Sequence, residues 1–192
     1  LQEFFDFRLP VPIRQISTTR RAWHLYCCND PRPLFQFARQ TQDTFPLLSN
    51  AVLLQLQEYP SAQNGLSTLE ERLLLELRAS RSVVESVGST VVLDATGSFG
   101  DGLMFEMIWR FLHCGVPLLE PQTGSVYNID SWRAFCQLKV ALTAAGEAVL
   151  QHREDNLLLN GIDRWLGGVH LNGKTVPWRW DREKCTLRRS NR

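Results

Sequence analysis

The stretch GLMFEMIWRFLHCG (residues 102–115) constrains the fold more than any other part of the chain. Leu103, Met104, Phe105, Met107, Ile108, Trp109, Phe111 and Leu112 surround a helix almost completely. A helix that is apolar all round belongs at the centre of a domain, with other elements packed on it. Asp101 near its start suits the positive end of the helix dipole, and Gly115 just past its end suits a cap. Glu106 and Arg110 stand four residues apart on the narrow polar stripe, where they are expected to pair.

The elements around this helix are legible to different degrees. STLEERLLLELR carries a capping box from Ser67 to Glu70, with Leu69, Leu73 and Leu77 on one face and Glu70, Glu71, Arg72, Glu76 and Arg78 on the others. FPLLSNAVLLQLQEYPS reads as a helix stopped by Pro60, its apolar face made of Leu47, Leu48, Ala51, Val52, Leu54 and Leu56. Asn64-Gly65 is a turn. Residues 1–31 read as an arm, with Ser17 as a candidate cap and Asp30-Pro31 opening a helix to about Thr41. SVVESVGSTVVLDA divides into a short helix and a β-branched strand. VPLLE is a short strand, CQLKVAL an alternating one, and Thr143 opens a helix through TAAGEAVL.

Helix, short helix, central helix, strand, long turn, strand, helix is the order of a winged helix with an appended helix. The expected strand pair is Val116–Leu119 with Cys136–Leu142, and the wing is Glu120–Arg133. The fold class is therefore α+β and predominantly helical: an N-terminal arm with helices over residues 1–62, a winged-helix-like domain with a small C-terminal β-hairpin over 63–181, and a basic tail over 182–192. In helix-turn-helix proteins the third helix reads the major groove. Here that helix offers Arg110 against Asp101 and Glu106, and the wing offers Arg133 against Glu120 and Asp130, a poor match for phosphate. Protein contact is the better expectation. Lys174, Arg179, Arg182, Lys184, Arg188, Arg189 and Arg192 gather near the end, read as a solvated tail or, alternatively, a contact for an anionic partner such as a nucleic-acid backbone.

Composition excludes little else. The 192 residues carry a net charge of +1, so no global field draws the chain to nucleic acid or an anionic membrane. No apolar run approaches the length of a membrane span, and the start lacks the basic head and cleavage site of a signal peptide. The start also lacks a Met, from which a fragment or processed form of a longer protein is expected. Five cysteines without a repeated spacing (Cys27, Cys28, Cys114, Cys136 and Cys185) point to reduced thiols and a cytoplasmic setting. His24, Cys27 and Cys28 lack the second ligand pair of a zinc site, and the two thiols read as small buried side chains. No phosphate-binding loop, nucleophile elbow or metalloprotease motif is present. GSFGDG is not a dinucleotide fingerprint, and neither the adjacent His113 and Cys114 nor Asp94, Asp101 and Glu106 form a convincing catalytic set. A catalytic residue, a metal and a cofactor are accordingly not expected.

LNGIDRWLGGVHLNGKTVPWRWD holds the densest aromatic and glycine content. GIDRWLGG reads as a helical turn with Trp165 and Leu166 inward. GVHL and VPWRWD read as closing strands joined at Asn172-Gly173. Trp178 and Trp180 share a strand face and serve as a lid on the core, with Arg179 on the other face. The functional alternative makes Asp163, Arg164, Trp165, Arg179 and Asp181 a polar rim beside aromatic platforms, suited to a planar or phosphate-bearing ligand.

The phrases EYPS, NGLS, GD before the aromatic helix, NGIDRWLGGVHL and WRWD give the chain its likeness to relatives. From about Phe4 to Asp181 it resembles an uncharacterised bacterial family, the domain of unknown function 1835. The resemblance implies a further domain upstream and supplies no activity. The expectation is a non-enzymatic regulatory or interaction module, partnered by a protein or by that upstream domain. The alternatives are an accessory part of an enzyme whose active site lies upstream, and direct nucleic-acid binding.

Overall fold

A computed structural model describes residues 10–40, 45–79, 82–93, 100–124 and 131–190. The FFDF arm, Asp94 with most of the GSFG loop, and the tip of the expected wing lie outside the described residues. Among the described residues the fold is mixed α+β, about half helical, with three small two-stranded antiparallel sheets. Among the described residues no helix is long and apolar enough to cross a membrane. The chain divides into two compact units, Leu1–Gln55 with Trp165–His170, and Leu56–Arg164 with Leu171–Arg192.

The first unit contains α1 (Ile13–Tyr26), α2 (Arg32–Ala38) and most of α3 (Leu48–Leu56). Helix α1 starts after Pro12, five residues earlier than a Ser17 cap requires. Ser17 instead donates its hydroxyl to the Arg14 carbonyl inside the helix. Asp30 accepts from the Arg32 N–H at 3.0 Å and opens α2. The apolar face of α3 is only partly buried: Leu56 is covered, whereas Leu47 and Ala51 are exposed. Cys27 is exposed and Cys28 half-buried, which corrects the reading of two buried thiols. Gly167 and Gly168 lie directly against the end of α1. A Cβ on Gly168 would stand 1.9 Å from the Cys27 carbonyl oxygen, and the Gly168 N–H donates to the Tyr26 carbonyl.

The second unit is built on α4 (Thr68–Arg78), α5 (Val83–Leu93) and α6 (Asp101–His113), with β1 (Leu119–Pro121), α7 (Trp132–Gln137), β2 (Val140–Leu142) and α8 (Ala144–Leu150). Leu69, Leu73, Leu74 and Leu77 of α4 meet Met104, Met107, Ile108, Phe111 and Leu112 of α6 in one apolar core. The central helix is less uniformly buried than its composition suggests: Leu103 and Trp109 are exposed. Val83–Leu93 is one helix, so the β-branched run is not a strand; its buried positions Val83, Ser86, Val87 and Thr90 follow the helical period. Strand β1 pairs with β2, Leu119 opposite Leu142, a register shifted towards the C-terminus of the expected first strand. Cys136 and Gln137, the first two residues of the alternating CQLKVAL run, belong to α7 because the Ser131 hydroxyl accepts from the Ala134 N–H and opens a helix there. Thr143 caps α8 by accepting from Gly146, where a Cβ would meet the Leu118 carbonyl at 2.2 Å.

The C-terminal third departs most from expectation. After α9 (Asn156–Asn160), Ile162–Leu166 forms β3 and Val169–Gly173 forms β4, a hairpin turning at Gly167-Gly168. The expected helical turn is therefore a strand, and Asn172-Gly173 does not join paired strands. Strand β5 (Trp178–Asp181) pairs instead with β6 (Thr186–Arg189), Trp180 opposite Leu187. The segment read as a solvated basic tail thus supplies a strand. Trp178 and Trp180 are buried, and the Trp180 N–H donates to the Pro60 carbonyl.

Candidate functional site

Within the second unit, α4, α6, α9 and the base of the β3–β4 hairpin enclose a cavity of about 570 Å³. Its charged lining is Glu70, Arg110, Asp163, Arg164 and Lys174, joined by the amides of Asn156, Asn160 and Asn172. Each element delivers its group for a local reason. The capping box holds Glu70, whose Oε2 accepts from the Ser67 N–H at 2.7 Å, leaving Oε1 for other partners. Arg110 projects from α6 and donates to that Oε1 at 2.6 Å. Arg164, on β3, donates to the same oxygen and reaches the Glu58 carbonyl at 3.5 Å. One buried carboxylate therefore orders two guanidinium groups from elements 40 and 94 residues away in sequence.

Burial opposes ionisation of Glu70, but Arg164 and then Arg110 outweigh it and hold the carboxyl below its usual range. Burial likewise acts against the charge on Arg164, and Glu70 more than compensates. Glu58, also buried, is different. Desolvation first, and the neighbouring Glu70 charge second, push its pKa up to about 7. Cys114 lines the same cavity, and burial raises its thiol.

A second network closes the unit behind the cavity. Asp155 caps α9 by accepting from the Leu157 and Leu158 N–H groups and takes the Arg179 guanidinium as well. Gly65, at φ +74°, lets this carboxylate approach: a Cβ there would lie 2.3 Å from Asp155 Oδ1. Arg182 pairs with Glu71 and donates to the Leu66 and Ser67 carbonyls at 2.9 and 3.0 Å.

The residues foreseen as one rim thus occupy three places. Asp163 and Arg164 line the cavity. Arg179 is tied to Asp155, and Asp181 is buried on β5, accepting from the Lys184 N–H at 3.1 Å. Trp165 belongs to the first unit, where it is exposed and stacks on His170 at 4.4 Å. Glu106 is not the partner of Arg110, which turns to Glu70. Sequence reasoning missed Glu58, Glu70, Arg110, Asp155 and Lys174 as members of a charged site. Only Glu70 carried a signal, its capping box, and that announces one backbone contact rather than two arginines. Among the described residues no group of three or more His, Cys, Asp or Glu is placed to hold a metal ion.

Compared with protein-family models, with curated proteins and with solved structures, the chain finds no match.

Proposed function

We propose that this chain is a non-enzymatic regulatory or interaction module that binds a small anionic ligand in the cavity between α4, α6, α9 and β3. The observation that carries the reading is the sharing of Glu70 Oε1 by Arg110 and Arg164. Two guanidinium groups are ordered before any ligand arrives, so less side-chain entropy is lost on binding, and Lys174 adds a further cation to the wall. A guanidinium has five N–H donors, more than Glu70 consumes. Two groups of the lining favour binding over chemistry: Glu70 is held as a carboxylate by its arginines, and the Cys114 thiol is pushed away from thiolate.

A winged-helix-like character for residues 63–181 is part of this proposal. It is supported by the order α4, α5, α6, β1, β2, with α7 inserted between the two strands, and by the antiparallel bridge of Ser82 to Lys139, which lies where a third, minimal strand of such a sheet would stand. Kinship with the domain of unknown function 1835 belongs here too, on the strength of NGIDRWLGGVHL and WRWD. Nucleic-acid binding is the weaker reading, because Arg179, Arg182 and Arg188 are each in an ion pair, with Asp155, Glu71 and Asp181.

The test is calorimetric titration of the whole chain with phosphate, pyrophosphate and citrate, beside a random single-stranded DNA pool at two salt concentrations. Saturable binding of one small anion is expected, weakened roughly ten-fold or more in Lys174→Ala and Arg110→Ala, as loss of a charge-assisted contact implies. Silence with all three anions, together with salt-sensitive DNA binding, would replace this reading with the nucleic-acid one.

A further inference from the structure

An adjoining flank of α6 carries a second concavity that shares no lining residue with the polar cavity. It measures about 550 Å³, and its walls are Phe105, Glu106 and Trp109 from α6, and Trp132 and Phe135 from α7. Phe135 is buried at the floor, 5.7 Å from the Trp109 ring at 78° and 5.7 Å from the Trp132 ring at 49°. Phe105 meets Trp132 edge-on at 4.7 Å. The two tryptophans are exposed, at 45% and 62%, although indoles are expensive to leave in water. Their positions are nevertheless fixed. His113 stacks on Trp109 at 3.9 Å, and the Ser131 cap orders the first turn of α7.

The charge pattern selects the ligand. Glu106 is the one ionisable group in the lining, it is exposed, and it makes no ion pair or hydrogen bond among the described residues. A neutral apolar guest would leave that carboxylate facing an apolar surface. A primary ammonium is a compact, strongly hydrated charge with three donors, which would have to give up water to rest on the rings; the side chains of the lining offer it only the Glu106 carboxylate and the remaining lone pair of the Ser131 hydroxyl. A methyl-substituted quaternary ammonium has no N–H to satisfy, spreads its charge over methyl groups, and is drawn to indole faces.

We propose that the groove between α6 and α7 binds a quaternary, methyl-substituted ammonium group, seated against Trp109 and Trp132 over Phe105 and Phe135 and neutralised by Glu106. The site shares no lining residue with the anion cavity, although the Glu106 charge is felt at Arg164, and its failure would leave the proposed function untouched.

The experiment titrates the whole chain with choline, with its neutral isostere 3,3-dimethylbutanol, and with one peptide carrying either trimethyllysine or unmodified lysine. Calorimetry gives the affinity, and the N-methyl proton shift reports the rings. Choline is expected to bind saturably with an upfield N-methyl shift, at least five-fold more tightly than the isostere. Glu106→Gln should weaken it several-fold, and Trp132→Ala should abolish the shift with an unchanged circular dichroism spectrum. A trimethyllysine peptide that binds more tightly than choline identifies a macromolecular source; choline equal to or tighter than the peptide identifies a small molecule. Equal affinity for choline and dimethylbutanol, wild-type binding by Trp132→Ala, or no saturable shift with either cation would overturn the proposal.

Discussion

The two concave sites on either flank of Arg110 and Glu106 are built from one helix by opposite means. On the Arg110 flank, a buried charge is answered: Glu70 sits at 6% side-chain exposure between two arginines. On the Trp109 flank, apolar rings are left in water and the carboxylate of Glu106 has no ion pair among the described residues. The first arrangement is costly to break, because a lone buried charge cannot be solvated. The second is cheap to alter, because its rings have not yet lost their contact with water. The lesson is that one amphipathic element can place a structural lock and an open surface a single residue apart.

The largest break in this contrast comes from Glu70→Ala. Removing the shared carboxylate strands Arg164 in the interior and destroys the capping box, and a loss of about 3–5 kcal/mol in urea unfolding is expected. A loss below about 1 kcal/mol would show that the lock is not a lock.

Next is the pH dependence set by Glu58. Its carboxyl titrates near 4.5 when unfolded and about 7 when folded, so the native state binds more protons between those values. Stability contributed by the protonated form is complete below pH 4.5 and is lost as pH rises to about 7, a change on the order of 3 kcal/mol. Glu70, whose pKa is depressed, acts in the opposite sense, its contribution disappearing as pH falls below the ordinary carboxylate range. Glu58→Gln should flatten the slope between pH 5 and 7 and stabilise the protein at pH 8, measured by urea midpoints at each pH. An unchanged slope would remove Glu58 as its source.

Smaller effects sharpen the comparison. Arg110→Ala should cost about 1–2 kcal/mol, since Arg110 is 40% exposed and Arg164 still answers Glu70. Trp132→Ala should cost less than about 1 kcal/mol. The double variant should be additive within about 0.5 kcal/mol in thermal or urea unfolding if the two flanks are energetically separate. Coupling beyond that would mean that α6 transmits strain between them.

Local signals were the legible ones. The capping box at Ser67, the Thr143 cap, the Asn64-Gly65 turn and the helix through Asp101–His113 all stand where their residues indicate. The failures share a cause. GIDRWLGG carries no short-range feature that separates a turn of helix from a strand, and its pairing with Val169–Gly173 rests on Gly167 and Gly168 fitting against the end of α1. VVESVGSTVVL shows that β-branched residues follow the packing offered to them, since β propensity largely reflects fit to a half-buried surface. Arg182 and the strand after it looked like a solvated tail because Glu71, its partner, is 111 residues away.

By itself, then, the sequence determined the helices whose ends and apolar period are written within a dozen residues, and it placed Trp178 and Trp180 in the interior. Tertiary structure alone decided which charges meet. Ion pairs such as Glu70 with Arg110 and Arg164, or Asp155 with Arg179, join groups far apart along the chain, and a charge has no periodicity to betray its partner. Helical order is a local property of neighbouring dihedrals and caps. A buried charged site exists only once the fold has excluded water from both partners at once.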